Sequence, residues 1–408
     1  MNSSTRSLLV IALLIATCGA ARARGFETDF DTFWNQVRLD YPYFATKATD
    51  WSCVRDTYRP QAAATEDRAQ FIRILERAID ELYDPHASLN TNLPSSTRLV
   101  PSGLDVWAEW REGQAIITQL RPDAAAGRAG LRAGMQVISV NGVAIDKAVA
   151  ARLGRCLRRP EPRARDWALL AVLAGQHDTP RDIEVRVGSA TTVFHPDAHP
   201  VEAPDQPGAT FRLLDDNLGY IAIHDIGADE TVSLFEAALE QLRNTRGLLL
   251  DLRDTAAGGS TAVAEPIMGR LISHRHAYQL VQPPHRHAWQ AIASPRGPWA
   301  YKAPVVVLVS RWTGSMGEGT AIGLDGMHRA RVVGTRMAGL NGAVFTHHLP
   351  QSGINYSFPG EALAHIDGSP RENFVPPVLV DMSAAGQPDA QDLVLQAGIR
   401  ELTSTIAP

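Results

Sequence analysis

The run Val305–Val309, VVVLV, has no polar break, which leaves it little to become except a strand covered on both faces. Such a strand requires helices packed above and below it, and therefore a βαβ-type layer. Small and polar residues follow, and a helix is predicted to begin near Met316, where Glu318, Ala321, Ile322 and Leu324 keep helical spacing. Ser315 stands at this change from buried strand to helix N-terminus. There the first N–H groups lack partners and the helix dipole favours negative charge. A serine so placed can attack a carbonyl, and the N–H of Met316 can hold the resulting oxyanion. The same residues also read as an ordinary N-cap, with Glu318 completing a capping box.

The 408 residues predict two or three domains, and a formal charge of −5 makes neither nucleic acid nor an anionic membrane an expected partner. At the front, Arg6 precedes the apolar run Leu8–Ala16, and Ala21-Arg22-Ala23 forms an A-x-A site. We read residues 1–23 as a secretory signal peptide, cleaved after Ala23, on a periplasmic or secreted protein. Cys18 loosely fits a lipoprotein box, and lipidation there would be the one route to a membrane. Cys53 and Cys156 would remain in the mature chain and could pair in an oxidising compartment. No Cys/His cluster has metal-ligand spacing, and no phosphate loop is present, so no metal, nucleotide or other cofactor is expected.

Along the chain, residues 26–95 read as helices, with Phe30, Phe33, Trp34 and Val37 and then Phe71, Ile72, Ile74, Leu75 and Ile79 on helical faces. Pro85 ends the last of them, leaving His86 on a loop in Asp84-Pro85-His86-Ala87-Ser88. Strands are expected at VWAEW, QAIITQL and VISV, residues 149–180 read as helix, and IEVRVGSATTVFHP reads as a closing strand. The stretch Ala124–Ile145, AAAGRAGLRAGMQVISVNGVAI, resembles the core of a PDZ domain. That resemblance makes Ser102, Gly103 and Leu104 the loop that takes a peptide's terminal carboxylate, in a groove that binds by strand addition. The segment Ala198–Gly208 reads as a linker. LGYIAI, the helix Val232–Leu242 and the strand Leu248–Leu252 then make a βαβ unit, followed by Gly258-Gly259. The His- and Pro-rich stretch His274–His287 reads as a surface loop, and RVVGT as a further strand.

The order of D-x-H, PDZ-like segment, LLLDLRDTAAGGS, S-x-x-E after a strand, HRARVVGT and PRENFVPPV resembles the carboxyl-terminal-processing peptidases, serine peptidases that include tail-specific proteases and the tricorn protease. It is not a G-x-S-x-G elbow, since Thr313 holds the first glycine's place. Tail-specific members use a lysine in a turn that here reads Gly339-Leu340-Asn341-Gly342. With no lysine there, the resemblance implies the tricorn-type alternative. Ser315 would be the nucleophile, His86 the base, and Glu372 in Arg371-Glu372-Asn373 the carboxylate that orients His86. The oxyanion donors implied are the N–H of Met316 and one from Gly258 or Gly259. His347 and His348, downstream of the turn, are held as reserve bases or structural residues.

The expected fold is α+β: a helical cap (24–98), a PDZ-like β domain with a helical insertion (99–198) and a crotonase/ClpP-like βαβ core (199–408). The expected activity is endopeptidase hydrolysis of protein or peptide substrates. A non-catalytic peptide- or lipid-binding protein on the same scaffold, or an esterase, is the alternative.

Overall fold

A computed structural model describes residues 25–198, 206–382 and 392–406, so the proposed signal peptide, Cys18 and most of the linker lie outside the described residues. Val305–Val309 is a strand with every residue buried. It lies at the centre of a six-stranded sheet, between Gly247–Asp251 and Ala330–Gly334, both parallel to it. Leu218–Ile223 extends the parallel set on one side, and Ala209–Leu214 closes that edge antiparallel. One face packs on the helices Glu230–Gln241, Thr261–Gly269 and Met316–Gly326, and the other on Leu393–Ile406, through Leu249, Val306 and Leu308. Two-sided cover is what an uninterrupted apolar strand needs, and it places the strands' C-terminal ends along one rim.

The front of the chain forms helices at residues 25–40, Trp51–Ala64 and Arg68–Asp80. Their aromatic faces close over Leu349, Ile354, Tyr356 and Phe358 of the core, making one shared cluster. The short strand Ser88–Leu89 then pairs antiparallel with Asn355–Ala364, Ser88 opposite Ser357. This ladder locks the cap to the core two residues after His86.

Residues 106–194 build a second antiparallel sheet, with Val106–Arg111 at its edge beneath the helix Pro162–Ala174. Three sequence expectations change here. The closing segment is a hairpin, Ile183–Val187 and Ala190–Phe194, because the Gly188 turn (φ +61°) breaks it. The helical stretch is split into Ile145–Arg152 and Pro162–Ala174, with a Cys156 loop between them. The His-rich stretch is only partly loop: His276–Gln282 is a strand paired with Trp289–Ala293, and residues 283–288 form the exposed turn between them. Cys53 and Cys156 are joined in a disulfide, Cα to Cα 5.6 Å, tying the cap helix to that split. Among the described residues no helix is long and apolar enough to cross a membrane, and no group of side chains could hold a metal ion.

Candidate active site

Ser315 ends the central strand's connection with φ +51° and ψ −111°. An ordinary N-cap sits in the extended region, and a side chain at positive φ is strained. Strain of this sort persists only where the surroundings impose it, and it turns the serine outward at a sharp strand-to-helix elbow. The imposing group is Glu318, wholly buried one turn into the helix. Its Oε2 accepts the Ser315 N–H at 2.9 Å and the Leu340 N–H at 3.2 Å, while Oε1 accepts the Gly339 N–H at 2.9 Å. Burial pushes the Glu318 carboxyl up to about 7, against the pull of Arg371 and those three N–H groups. The carboxylate thus staples the serine elbow to the Gly339–Gly342 turn.

Arg371 fastens the same two pieces from the other side. Its Nη2 donates to the carbonyls of Leu340 and Gly342, both at 2.8 Å, and Nη1 reaches the Ser315 carbonyl at 3.4 Å. Leu340, in the turn that holds no lysine, is buried with its side chain toward Gly314.

The cap delivers His86 onto this turn. Its Nδ1 lies 2.5 Å from the Asn341 carbonyl, which can only accept. In the neutral ring Nδ1 therefore carries the proton and Nε2 the lone pair, the arrangement a general base needs. Burial, and then the Arg371 guanidinium, hold the imidazole down at about 4, against Asn341, Asp84 and Gly342. His86 is thus uncharged at neutral pH. Among the described residues no hydrogen bond joins it to Ser315 or to Glu372.

Glu372 occupies the short helical turn Arg371–Asn373, and its Oε2 is buried without a partner. Burial raises its carboxyl, with Arg371 opposing. The Tyr43 hydroxyl, likewise buried and unpartnered, is raised by burial and by Glu372. Glu372 thus makes no hydrogen bond to the imidazole among the described residues.

For the oxyanion donors the two glycines differ. The Gly258 N–H is taken by the Thr255 carbonyl at 3.0 Å. No protein acceptor takes the N–H of Gly259 or of Met316 among the described residues. Gly258 has another use: at φ +72° a Cβ there would stand 2.5 Å from Ser315 Cβ, so only glycine leaves the serine room.

The expected carboxylate loop is closed on itself. Gly103 N–H donates to Leu99 at 2.6 Å, Leu104 N–H donates to Pro101 at 3.1 Å, and the Ser102 carbonyl accepts from Arg121. The Leu104 carbonyl meanwhile accepts from Trp312 Nε1 at 2.7 Å, three residues before Ser315. In this conformation the N–H groups of Gly103 and Leu104 are taken within the loop, and the Leu104 carbonyl braces the serine elbow. His347 stacks on Tyr356 and Phe358, and His348 pairs with Asn355, so both are strand residues with packing partners. Sequence reasoning quoted Asp84, Asn341 and Arg371 within motifs but gave them no role. The signals available were an aspartate two residues before the loop histidine, an asparagine inside a glycine turn, and an arginine beside Glu372.

Residues 217–373 match peptidase family S41, and residues 23–80 match the tricorn protease C1 domain. His86 falls between the two matches. Comparison with curated protein sequences gives no match. The fold is similar to that of mature CPAF, with a TM-score of 0.64 at 14% identity over 95% of this chain and 97% of that one. It is also similar to the photosystem II D1 C-terminal processing protease, with a TM-score of 0.56 at 20% identity over 94% and 98% of the two chains. The serine elbow lies inside the segment that matches peptidase family S41, and the chain is a serine-type peptidase.

Proposed function

We propose that the protein is an exported endopeptidase in which Ser315 attacks the scissile carbonyl and His86 moves the proton. In this reading Nε2 takes the Oγ proton as the tetrahedral intermediate forms, and gives it to the leaving amine as that collapses to the acyl-enzyme. Water then repeats the sequence and frees the acid product. The N–H groups of Met316 and Gly259 hold the oxyanion, and Glu372 supplies negative potential for the imidazolium. The Nε2–Oγ hydrogen bond forms as substrate binds, since catalytic contacts often tighten only in the complex. Substrates are unfolded or C-terminal protein segments, with the PDZ-like sheet edge as a second contact once its loop opens. The signal-like front of the chain and the Cys53–Cys156 disulfide both support export to an oxidising compartment.

The observation that carries this reading is the strained Ser315 backbone at the helix N-terminus after the central strand, with the N–H groups of Met316 and Gly259 left without a protein acceptor among the described residues. Casein and p-nitrophenyl ester turnover by wild type, Ser315→Ala and His86→Ala tests it. Both substitutions should abolish casein hydrolysis. Ester turnover without casein turnover would favour an esterase, and casein turnover by Ser315→Ala would refute the nucleophile.

A further inference from the structure

The imidazole needs something to hold its ring and fix its tautomer, and Glu372 makes no hydrogen bond to it. Another carboxylate is engaged at both ends of the bond that does hold the ring. Asp84, nearly fully buried, accepts the backbone N–H of His86 on Oδ1 at 3.0 Å. Its Oδ2 accepts the Asn341 side-chain amide at 2.7 Å and the Tyr41 hydroxyl at 2.6 Å. Asn341 is the residue whose carbonyl takes the His86 Nδ1 proton. One side chain thus fixes both the donor's backbone and the acceptor's turn, across the boundary between cap and core. Tyr41, on the cap, keeps its proton because burial and Asp84 both raise its phenol, so it remains a donor to the carboxylate.

From this geometry we propose that Asp84, acting through Asn341, is the positioning carboxylate for His86, in place of a direct contact from Glu372. The assignment rests on His86 being the base for Ser315. It gives the turn that lacks a lysine a role: the asparagine in it completes the histidine's seat. An amide in place of this carboxylate would set its Nδ2 against the Asn341 amide and the Tyr41 hydroxyl, so that both must turn and Asn341 no longer donates across to the cap. The pair can, however, exchange roles. With Asp84→Asn and Asn341→Asp combined, the amide now on the cap donates to the carboxylate now on the turn. Its oxygen still accepts the His86 N–H, and Tyr41 turns its lone pairs to the amide.

The test is peptide turnover by the full oxidised chain, with kcat and KM measured separately alongside thermal melts. Asp84→Asn and Asn341→Asp should each lower kcat about 10- to 100-fold with KM within about 2-fold, as loss of tautomer control acts on proton transfer rather than binding. The double variant should recover to within about 10-fold of wild type, which a merely structural role would not produce. Glu372→Gln should cost less than Asp84→Asn. Should Asp84→Asn fail to fold, Asn341→Ala replaces it and should lower kcat about 10-fold at unchanged KM. Singles that keep kcat within about 3-fold of wild type, or a folded double no better than its worse parent, overturn the proposal. Activity surviving in His86→Ala would instead refute the base assignment beneath it.

Discussion

At Ser315 the deciding quantity is the space around the side chain. Gly258 faces Ser315 so closely that Gly258→Ala must displace the serine or leave the left-handed region. Turnover should fall by at least about 100-fold, comparable to losing an oxyanion donor, while the circular dichroism spectrum stays that of the wild type. In the proposed mechanism His86 sets the pH dependence. Its imidazole is depressed from the ordinary 6.5 to about 4, so the basic form persists well into acid. The acid limb of kcat/KM should therefore fall near pH 4 rather than near 6.5, as read from a pH–rate profile. The sign for stability follows from linkage. Between pH 6.5 and about 4 the unfolded chain takes the proton first, so this residue's contribution is present above that window and lost as pH falls through it.

At the scale of elements, the staple from the helix Met316–Gly326 to the Gly339–Gly342 turn decides whether the elbow keeps its shape. Glu318→Gln puts an amide where backbone N–H groups already point, leaving a buried donor unmet. It should cost about 1–3 kcal/mol, read from denaturant unfolding, and turnover should fall with it. This is also where the sequence was most and least informative. Val305–Val309 and the helix at Met316 were legible because an apolar strand and a change of period are local signals. Ser315 followed from them. His86 followed only from family resemblance, since its meeting with the 339–342 turn depends on the ladder from Ser88 to Ser357. The roles of Asp84 and Asn341 escaped notice because they arise from a contact between residues far apart in the chain. The Ser102–Leu104 loop escaped for the opposite reason: its sequence fits a binding loop, but local turn bonds take the Gly103 and Leu104 N–H groups, and Trp312 takes the Leu104 carbonyl.

Over the whole molecule, three units are held in one arrangement around the elbow. The cap is tied to the core by an aromatic cluster and a short ladder, and to the second sheet by the Cys53–Cys156 bond. The second sheet meets the core through Trp107 against Trp312, and through Arg121 on Asp254 at 2.7 Å. A crosslink spanning 103 residues restricts the unfolded chain. The Cys53→Ser/Cys156→Ser double variant should lose about 3–5 kcal/mol in equilibrium unfolding, and reduction of the wild type should match it. Because the bond joins cap to second sheet rather than cap to elbow, kcat of the folded variant should remain within about 3-fold of wild type.

The most direct measurement is the rate at which a fluorophosphonate modifies Ser315 in the folded, oxidised protein, located by peptide mass and compared between wild type and His86→Ala. A serine activated by the cap histidine should be labelled at that single site, and about 100-fold or more slowly once the imidazole is removed. A folded wild type that stays unlabelled, or a His86→Ala variant labelled at the wild-type rate, would contradict that mechanism.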